Sequence, residues 1–227
     1  MTCWLRKPCL NVRCASIAER FPAHDILAEE LSSGPGEAAR ASHRWVLDPL
    51  DGTTNYAHGL PIFGVSIALE TAGRVALGVV YDPTRDELFV AERGAGAWRD
   101  ARRLTVSSRA TLNESLLASG FPYNIRETPD NNTREFIAFS LRARGVRRMG
   151  SAVIYLAYVA AGRLDGCWEL RLGPWDVAAG ALLIEEAGGR VTAVDGGPLD
   201  VDAPTLVASN GRIHDEMLGV LKETRGA

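Results

Sequence analysis

Residues 45–61 read WVLDPLDGTTNYAHGLP, and this stretch decides how the rest of the chain is read. Trp45-Val46-Leu47 has the character of the end of a buried strand, and Asp48, Pro49, Leu50, Asp51, Gly52, Thr53 and Thr54 follow directly. Two carboxylates three positions apart at a strand end are poor core material and good ligands. Pro49 fixes φ and removes a donor between them, so their spacing belongs to the loop. Gly52 allows a tight turn and a close approach of backbone to a ligand, and the amides after it are available to an anion. Hard oxygen donors without Cys or His suit Mg²⁺ better than Zn²⁺. The plainer reading, a surface turn rich in Asp, Pro, Gly and Thr, stands beside this one for the DPLD tetrad alone.

Composition narrows the field without deciding it. The chain has 227 residues, 46% hydrophobic and 23% charged, with a formal net charge of −3. That is enough for a sizeable core, and the weak negative charge does not favour a general nucleic-acid or membrane-surface binder. No apolar run reaches the roughly 18 residues of a spanning helix. Arg6, Lys7 and Arg13 interrupt the apolar start, so a signal peptide is not expected and a cytoplasmic chain is. Cys3, Cys9, Cys14 and Cys167 match no zinc spacing and read as reduced thiols.

Working outward, residues 10–20 predict the tail of an amphipathic helix with Leu10, Cys14 and Ile17 on one face, and Ile26-Leu27 a short strand running into Glu29-Glu30. Residues 32–42 read as a Gly/Ser/Pro-rich loop. Val65 to Glu70, Arg74 to Tyr81 and Glu87 to Ala91 predict an antiparallel meander with a hairpin at Thr71–Gly73, its charged residues forming a wet face. Ser115 to Ser119 is a further strand, and Asn131-Asn132-Thr133 starts a helix that buries Phe136, Phe139 and Ala143 before Gly145. Arg142, Arg144, Arg147 and Arg148 form a basic cluster, read as solvated charge or a subunit contact; nucleic acid is not expected. Ser151 N-caps a helix to Ala161. Asp165 to Glu169 is a strand, Pro174-Trp175-Asp176 opens a helix of small residues closed by Gly188-Gly189, strands follow at 190–194 and 205–208, and a last helix surrounds His214 to Leu221.

The stretch at 45–61 resembles the first signature of the inositol monophosphatase family of metal-dependent phosphatases, and WDVAAGALLIEEAGG at 175–189 resembles the second. The similarity runs from about Phe21 to the C-terminal end. It implies an α/β (α+β) fold, a layered αβαβα sandwich of the sugar-phosphatase type with mixed and antiparallel sheets, in one domain over 1–227. It implies two or three Mg²⁺ ions held by Glu29, Asp48, the Leu50 carbonyl, Asp51 and Asp176, with Glu29 and Thr53 activating a water. Substrate contacts would come from Asp51, Gly52, Thr53, Gly150, Ser151, Ala152, Glu169 and Asp176. For Glu169 and Asp176 the residues alone read equally as an exposed strand acid and a helix cap.

Four carboxylates, Glu29, Asp48, Asp51 and Asp176, repel by roughly 3 kcal/mol per pair at about 5 Å and an effective dielectric near 20. A structural role gives no motive to gather them; cations do. The implied reaction is hydrolysis of a phosphomonoester, inositol 1-phosphate first, with lithium inhibition and a homodimer as further family traits. Histidinol phosphate and fructose 1,6-bisphosphate keep the chemistry and change the alcohol, with Tyr155 and Glu169 on the discriminating rim. A catalytically impaired binding or regulatory protein is the reading of another class, because the family's opening segment, with a lysine and an aspartate, has no match here. Counting back from Glu29, that aspartate falls at Arg6, and the chain departs from the family before about Val12.

Overall fold

The computed structural model describes residues 14–29, 42–202 and 205–226. Seven strands form the larger sheet in chain order: β1 (Asp25–Ala28), β2 (His43–Asp51), β3 (Gly64–Thr71), β4 (Arg74–Asp82), β5 (Glu87–Glu92), β6 (Gly96–Arg99) and β7 (Arg102–Arg103). β1 runs parallel to β2, and every other neighbouring pair is antiparallel. The expected hairpin turns at Ala72 (φ 51°) and Gly73 (φ 75°), the double left-handed geometry that matches strand twist. A five-residue helix, α2 (Thr53–Ala57), stands between β2 and β3.

Small side chains decide what packs on this sheet. Its buried face presents Ser66, Ala68, Gly78, Ala91 and Ala97, and the helix α5 (Pro174–Glu186) lies against it with Ala178, Ala179 and Gly180 buried. A Cβ on Gly78 would stand 2.8 Å from the Ala179 carbonyl oxygen. One on Gly180 would stand 2.4 Å from Leu156 Cβ on α4 (Ala152–Ala160). Sheet to helix and helix to helix are therefore closer than any larger residue allows.

The other side of α4 and α5 meets a five-stranded sheet of β8 (Leu116–Ser119), β9 (Gly145–Arg147), β10 (Gly166–Glu169), β11 (Arg190–Thr192) and β12 (Leu206–Ser209), in the order β11-β12-β10-β8-β9. Its two β12 pairings are antiparallel, and β8–β10 and β8–β9 are parallel. Beyond it lie α3 (Thr133–Ser140) and α6 (His214–Arg225), sealing Phe139, Trp168, Val207 and Met217 in a second core. Helical residues 14–20 (α1) place Cys14 and Ile17 over Ala28 and Leu47 on the outer face of the larger sheet. The layers are α, β, α, β, α, as the resemblance implied. No helix among the described residues is long and apolar enough to cross a membrane.

Two expectations change. The helix after Asn132 ends at Ser140, and Gly145 opens a strand instead of closing a helix. The meander's charges are not all wet: Glu70 is buried against Arg44 at 2.5 Å, and Asp82 is fully buried. Each is a buried carboxylate with its own donors, which alternation alone does not reveal. Cys14 and Cys167 are free thiols, whereas Cys3, Cys9, Leu10, Glu30 and most of the 32–42 loop lie outside the described residues.

Candidate active site

In a regular strand, residues three apart point to opposite faces. Asp48 pairs with Ser66 and Asp51 with Gly64, so three steps along β2 match two along β3. The extra residue is a β-bulge at Pro49-Leu50, where proline has no amide for the ladder, and it returns both aspartates to one face. Asp48 is 1% exposed and its Oδ1 accepts the Leu50 amide at 2.8 Å. Asp51 Oδ2 accepts the Ser151 hydroxyl at 2.6 Å and the Val153 amide at 2.9 Å, which ties the bulge to the start of α4. Asp176 is the third residue of α5 and its Oδ2 accepts the Gly173 amide at 2.7 Å.

These three aspartates, two from β2 and one from α5 more than a hundred residues on, bring carboxylate oxygens within 4.8 Å of one another. Glu29 follows Ala28 on β1, whose partner on β2 is Leu47, so the parallel register sets it alongside Asp48. Burial holds the Asp48 carboxyl well above the usual aspartate range, and the charges of Asp51, Glu29 and Asp176 add to that; the Leu50 amide opposes it. Ser66, directly across the ladder from Asp48, carries the one buried side-chain polar atom without a partner among the described residues. An acidic cluster beside an orphaned hydroxyl, with oxygen donors throughout, fits a hard divalent cation.

Glu29, Asp51, Thr53, Gly150, Glu169 and Asp176 all face one cavity of about 760 Å³. Gly52 has φ 86°, and a Cβ there would lie 2.9 Å from the Ile62 carbonyl oxygen; α2 starts immediately after it. Glu169, at the end of β10, is 5% exposed. Burial raises its carboxyl well above the ordinary range, the charges of Asp51 and Asp176 add, and the Gly120 amide and Arg148 pull the other way. A Cβ on Gly120 would stand 2.9 Å from both Glu169 carboxylate oxygens. Gly150 and Ala152 line the cavity, whereas Ser151 is fully buried with its hydroxyl given to Asp51. Leu50 is half-buried within the bulge.

Several contacts around the site have no counterpart in the reading of the sequence. Asn55 donates from Nδ2 to the Ile62 carbonyl at 2.8 Å and the Met149 carbonyl at 2.6 Å, latching the first motif to the loop before α4. The Tyr155 oxygen accepts the amides of Met149 and Gly150. This residue, expected on the rim, is 1% exposed and grips that loop from below, and burial raises its phenol. Asn132 donates to the Gly120 carbonyl at 2.5 Å and accepts Trp168 Nε1 at 2.7 Å, bracing the wall that carries Glu169. Phe121, Tyr123, Arg148, Arg171 and Trp175 complete the cavity. The basic cluster is divided in space: Arg142 pairs with Glu223 at 2.8 Å, and Arg148 belongs to this cavity.

Comparison with known proteins follows the same lines. The model of the inositol monophosphatase family matches residues 11–225. An inositol-1-monophosphatase of Mesorhizobium japonicum is 45% identical over 213 residues, covering 94% of this chain and 79% of that protein. The Nus factor SuhB of Pseudomonas aeruginosa is 43% identical over 210 residues, covering 92% of this chain and 78% of that protein. Among solved structures, an inositol monophosphatase from Anabaena superposes with a TM-score of 0.92 at 48% identity, covering 96% of this chain and 86% of that one.

Proposed function

Since the chain belongs to the inositol monophosphatase family, a family of metal-dependent phosphoric monoester hydrolases, we propose that it hydrolyses a small polyol phosphate, inositol 1-phosphate foremost, with Mg²⁺ as the metal. The observation that carries this reading is the convergence of Asp48, Asp51 and Asp176 within 4.8 Å, with Asp51 and Asp176 lining a cavity shared with Glu29 and Glu169 and Asp48 buried behind them. Glu29, Asp48, Asp51, Asp176 and the Leu50 carbonyl would hold two or three Mg²⁺ ions. Bound there, Mg²⁺ supplies Lewis acidity to the phosphate and to the attacking water and charge compensation at the leaving oxygen.

The chain's own residues then divide the remaining work. Glu29 and the Thr53 hydroxyl orient a water in line with the ester bond and accept its proton. The amides of Gly52 and Thr53 bind phosphate oxygens, and the N-terminal end of α5 adds to the favourable field. A phosphorus–oxygen bond forms to the water as the one to the alcohol breaks, and the departing oxygen takes up a proton. Glu169, Gly150 and Ala152 contact the alcohol, while Ser151 acts through Asp51. Lithium inhibition, a homodimer and a cytoplasmic location complete the reading by family resemblance.

Phosphate release from inositol 1-phosphate, histidinol phosphate and fructose 1,6-bisphosphate, with and without Mg²⁺ and with lithium, tests it. The expected result is Mg²⁺-dependent, lithium-sensitive turnover fastest on inositol 1-phosphate, and metal-independent rates would overturn the metal assignment. The similarity to a protein named Nus factor SuhB supports a second reading, an additional role in transcription, testable by co-purification with the transcription machinery.

A further inference from the structure

The cavity wall holds a hydroxyl whose proton the hydrolytic reading leaves unused. Tyr155 is the fourth residue of α4, is 1% exposed, and lines the cavity together with Met149, Gly150 and Glu169. Its phenol oxygen accepts the amides of Met149 and Gly150. A phenol oxygen that takes two N–H donors has filled its acceptor positions, and only its O–H remains to be given away. Among the described residues that O–H has no acceptor.

Three other aromatic donors are spent within the protein. Tyr158, three residues along the same helix, gives its hydroxyl to Asp82 at 3.2 Å, Tyr81 gives its own to Asp86 at 2.8 Å, and Trp168 gives Nε1 to Asn132 at 2.7 Å. A buried tyrosine ordinarily finds such a partner, because an unmet donor in a dry site is costly. Tyr155 differs in lying on the cavity wall, where a bound molecule can supply the acceptor.

The phenol oxygen is also held still. Gly150 has φ 100°, and a Cβ on it would stand 3.0 Å from Asn55 Nδ2, so the loop is pinned by Asn55 on one side and by the phenol on the other. The phenol keeps its proton near neutrality: burial raises it, the charges of Glu169 and Asp51 add, and the Gly150 and Met149 amides pull the other way. Glu169 is an acceptor on the same wall, and Tyr155 is a donor. A hydroxyl group both gives and takes a hydrogen bond, so an alcohol carrying hydroxyls meets both halves of what it needs.

We propose that Tyr155 is a substrate-contacting residue: its O–H, set by the Met149 and Gly150 amides, donates to a hydroxyl oxygen of the alcohol on the side where Glu169 accepts, and is the donor by which the enzyme tells a hydroxylated alcohol from one without hydroxyls. The inference rests on the phosphatase reading and deepens it.

The test compares inositol 1-phosphate with 4-nitrophenyl phosphate, whose leaving group offers no second hydroxyl, in the full chain and in Tyr155→Phe at saturating Mg²⁺. Loss of the loop brace acts on both esters alike, so the ratio of their kcat/KM values isolates the contact. Tyr155→Phe should lower that ratio by about tenfold, the worth of one hydrogen bond between neutral groups. An unchanged ratio, whatever the absolute rates, would overturn the contact and leave Tyr155 a brace. The wild type gives a second reading that needs no variant. At the ring position that Tyr155 reaches, an inositol 1-phosphate analogue with fluorine in place of the hydroxyl keeps an acceptor, and its KM should be lower than that of the deoxy analogue. Fluoro and deoxy analogues with equal KM at every ring position would overturn the contact as well. Hydrolysis of 4-nitrophenyl phosphate but not of inositol 1-phosphate by the wild type would overturn the substrate reading and the contact with it, and hydrolysis of neither would overturn the phosphatase reading itself.

Discussion

At Asp48-Pro49-Leu50 and again at Asp82-Pro83-Thr84 the chain does the same thing locally. Each aspartate sits at or near a strand end, is at most 1% exposed, precedes a proline and accepts the amide two residues on, at 2.8 Å and 3.0 Å. The surroundings are opposite. Asp82 also accepts the Thr84 hydroxyl at 2.7 Å, Arg85 at 3.1 Å and the Tyr158 hydroxyl at 3.2 Å. Asp48 faces Asp51, Glu29 and Asp176. A buried carboxylate ringed by donors is a structural joint; one ringed by carboxylates, with no cationic side chain paired to it among the described residues, calls for a cation or a proton. The local motif therefore cannot distinguish them, and only the long-range neighbours do.

The largest expected effect separates the two sites by chemistry. Asp48→Asn should lower Mg²⁺-dependent phosphate release by about a thousandfold or more, since it removes a charged ligand from the cluster. Asp82→Asn should leave the rate per folded molecule within about twofold. Steady-state rates on inositol 1-phosphate, corrected for the folded fraction, measure both. Comparable losses in the two variants would mean that Asp48 is another structural joint.

Stability should reverse the ranking. Without metal, Asp82→Asn loses its ion pair and puts an amide where several donors converge, costing roughly 1–3 kcal/mol. Asp48→Asn relieves repulsion in a buried site and should stabilise the metal-free protein by on the order of 1 kcal/mol. Denaturant unfolding in a chelating buffer checks both signs. If Asp48→Asn destabilises as much as Asp82→Asn, the account of the cluster as electrostatically frustrated fails.

The same contrast explains what the sequence could show. The Trp45–Leu47 part of β2, the hairpin after β3 and the Ser151 cap, whose hydroxyl accepts the Ile154 amide at 3.3 Å, depend on neighbours within a few residues, and were legible; that the strand continues through Asp51, where a loop was expected, was not. The bulge was legible only as Pro49 between two acids; that it turns Asp48 and Asp51 to one face needs the β3 register. Helix α2 was missed because Thr53 and Thr54 are weak helix formers and no side chain caps it. The Asn55 latch reaches 94 residues along the chain, so it leaves no local pattern. Asp82, in the turn read after Tyr81, was counted with the meander's wet charges, and only its converging donors make burial tolerable. Apart from Glu29, metal positions were assigned from the family's two signatures, while the geometry that gathers three of them resides in β2, α4 and α5.

A smaller effect, with a definite sign, sharpens the contrast further. Burial and its acidic neighbours raise the Asp48 carboxyl above the ordinary value of 3.8, which the unfolded chain retains. Between those two points the folded protein holds a proton that the unfolded chain has released, so folded stability rises as pH falls through the raised value. Asp48→Asn has no such proton to take up. The stability advantage of Asp48→Asn over the wild type in chelating buffer should therefore be greatest at pH 8 and narrow as the pH is lowered. Glu169, raised chiefly by burial, is present in both proteins and enters the difference only through its coupling to the cluster. Saturating Mg²⁺ at pH 8 should invert the order, because only the wild type retains the full ligand set, and a cation at 100 times its dissociation constant stabilises by about 2.7 kcal/mol. A gap that stays flat across the pH range, or survives Mg²⁺ unchanged, would show that Asp48 is neither repelled by its neighbours nor compensated by a cation, which would erase the difference between it and Asp82.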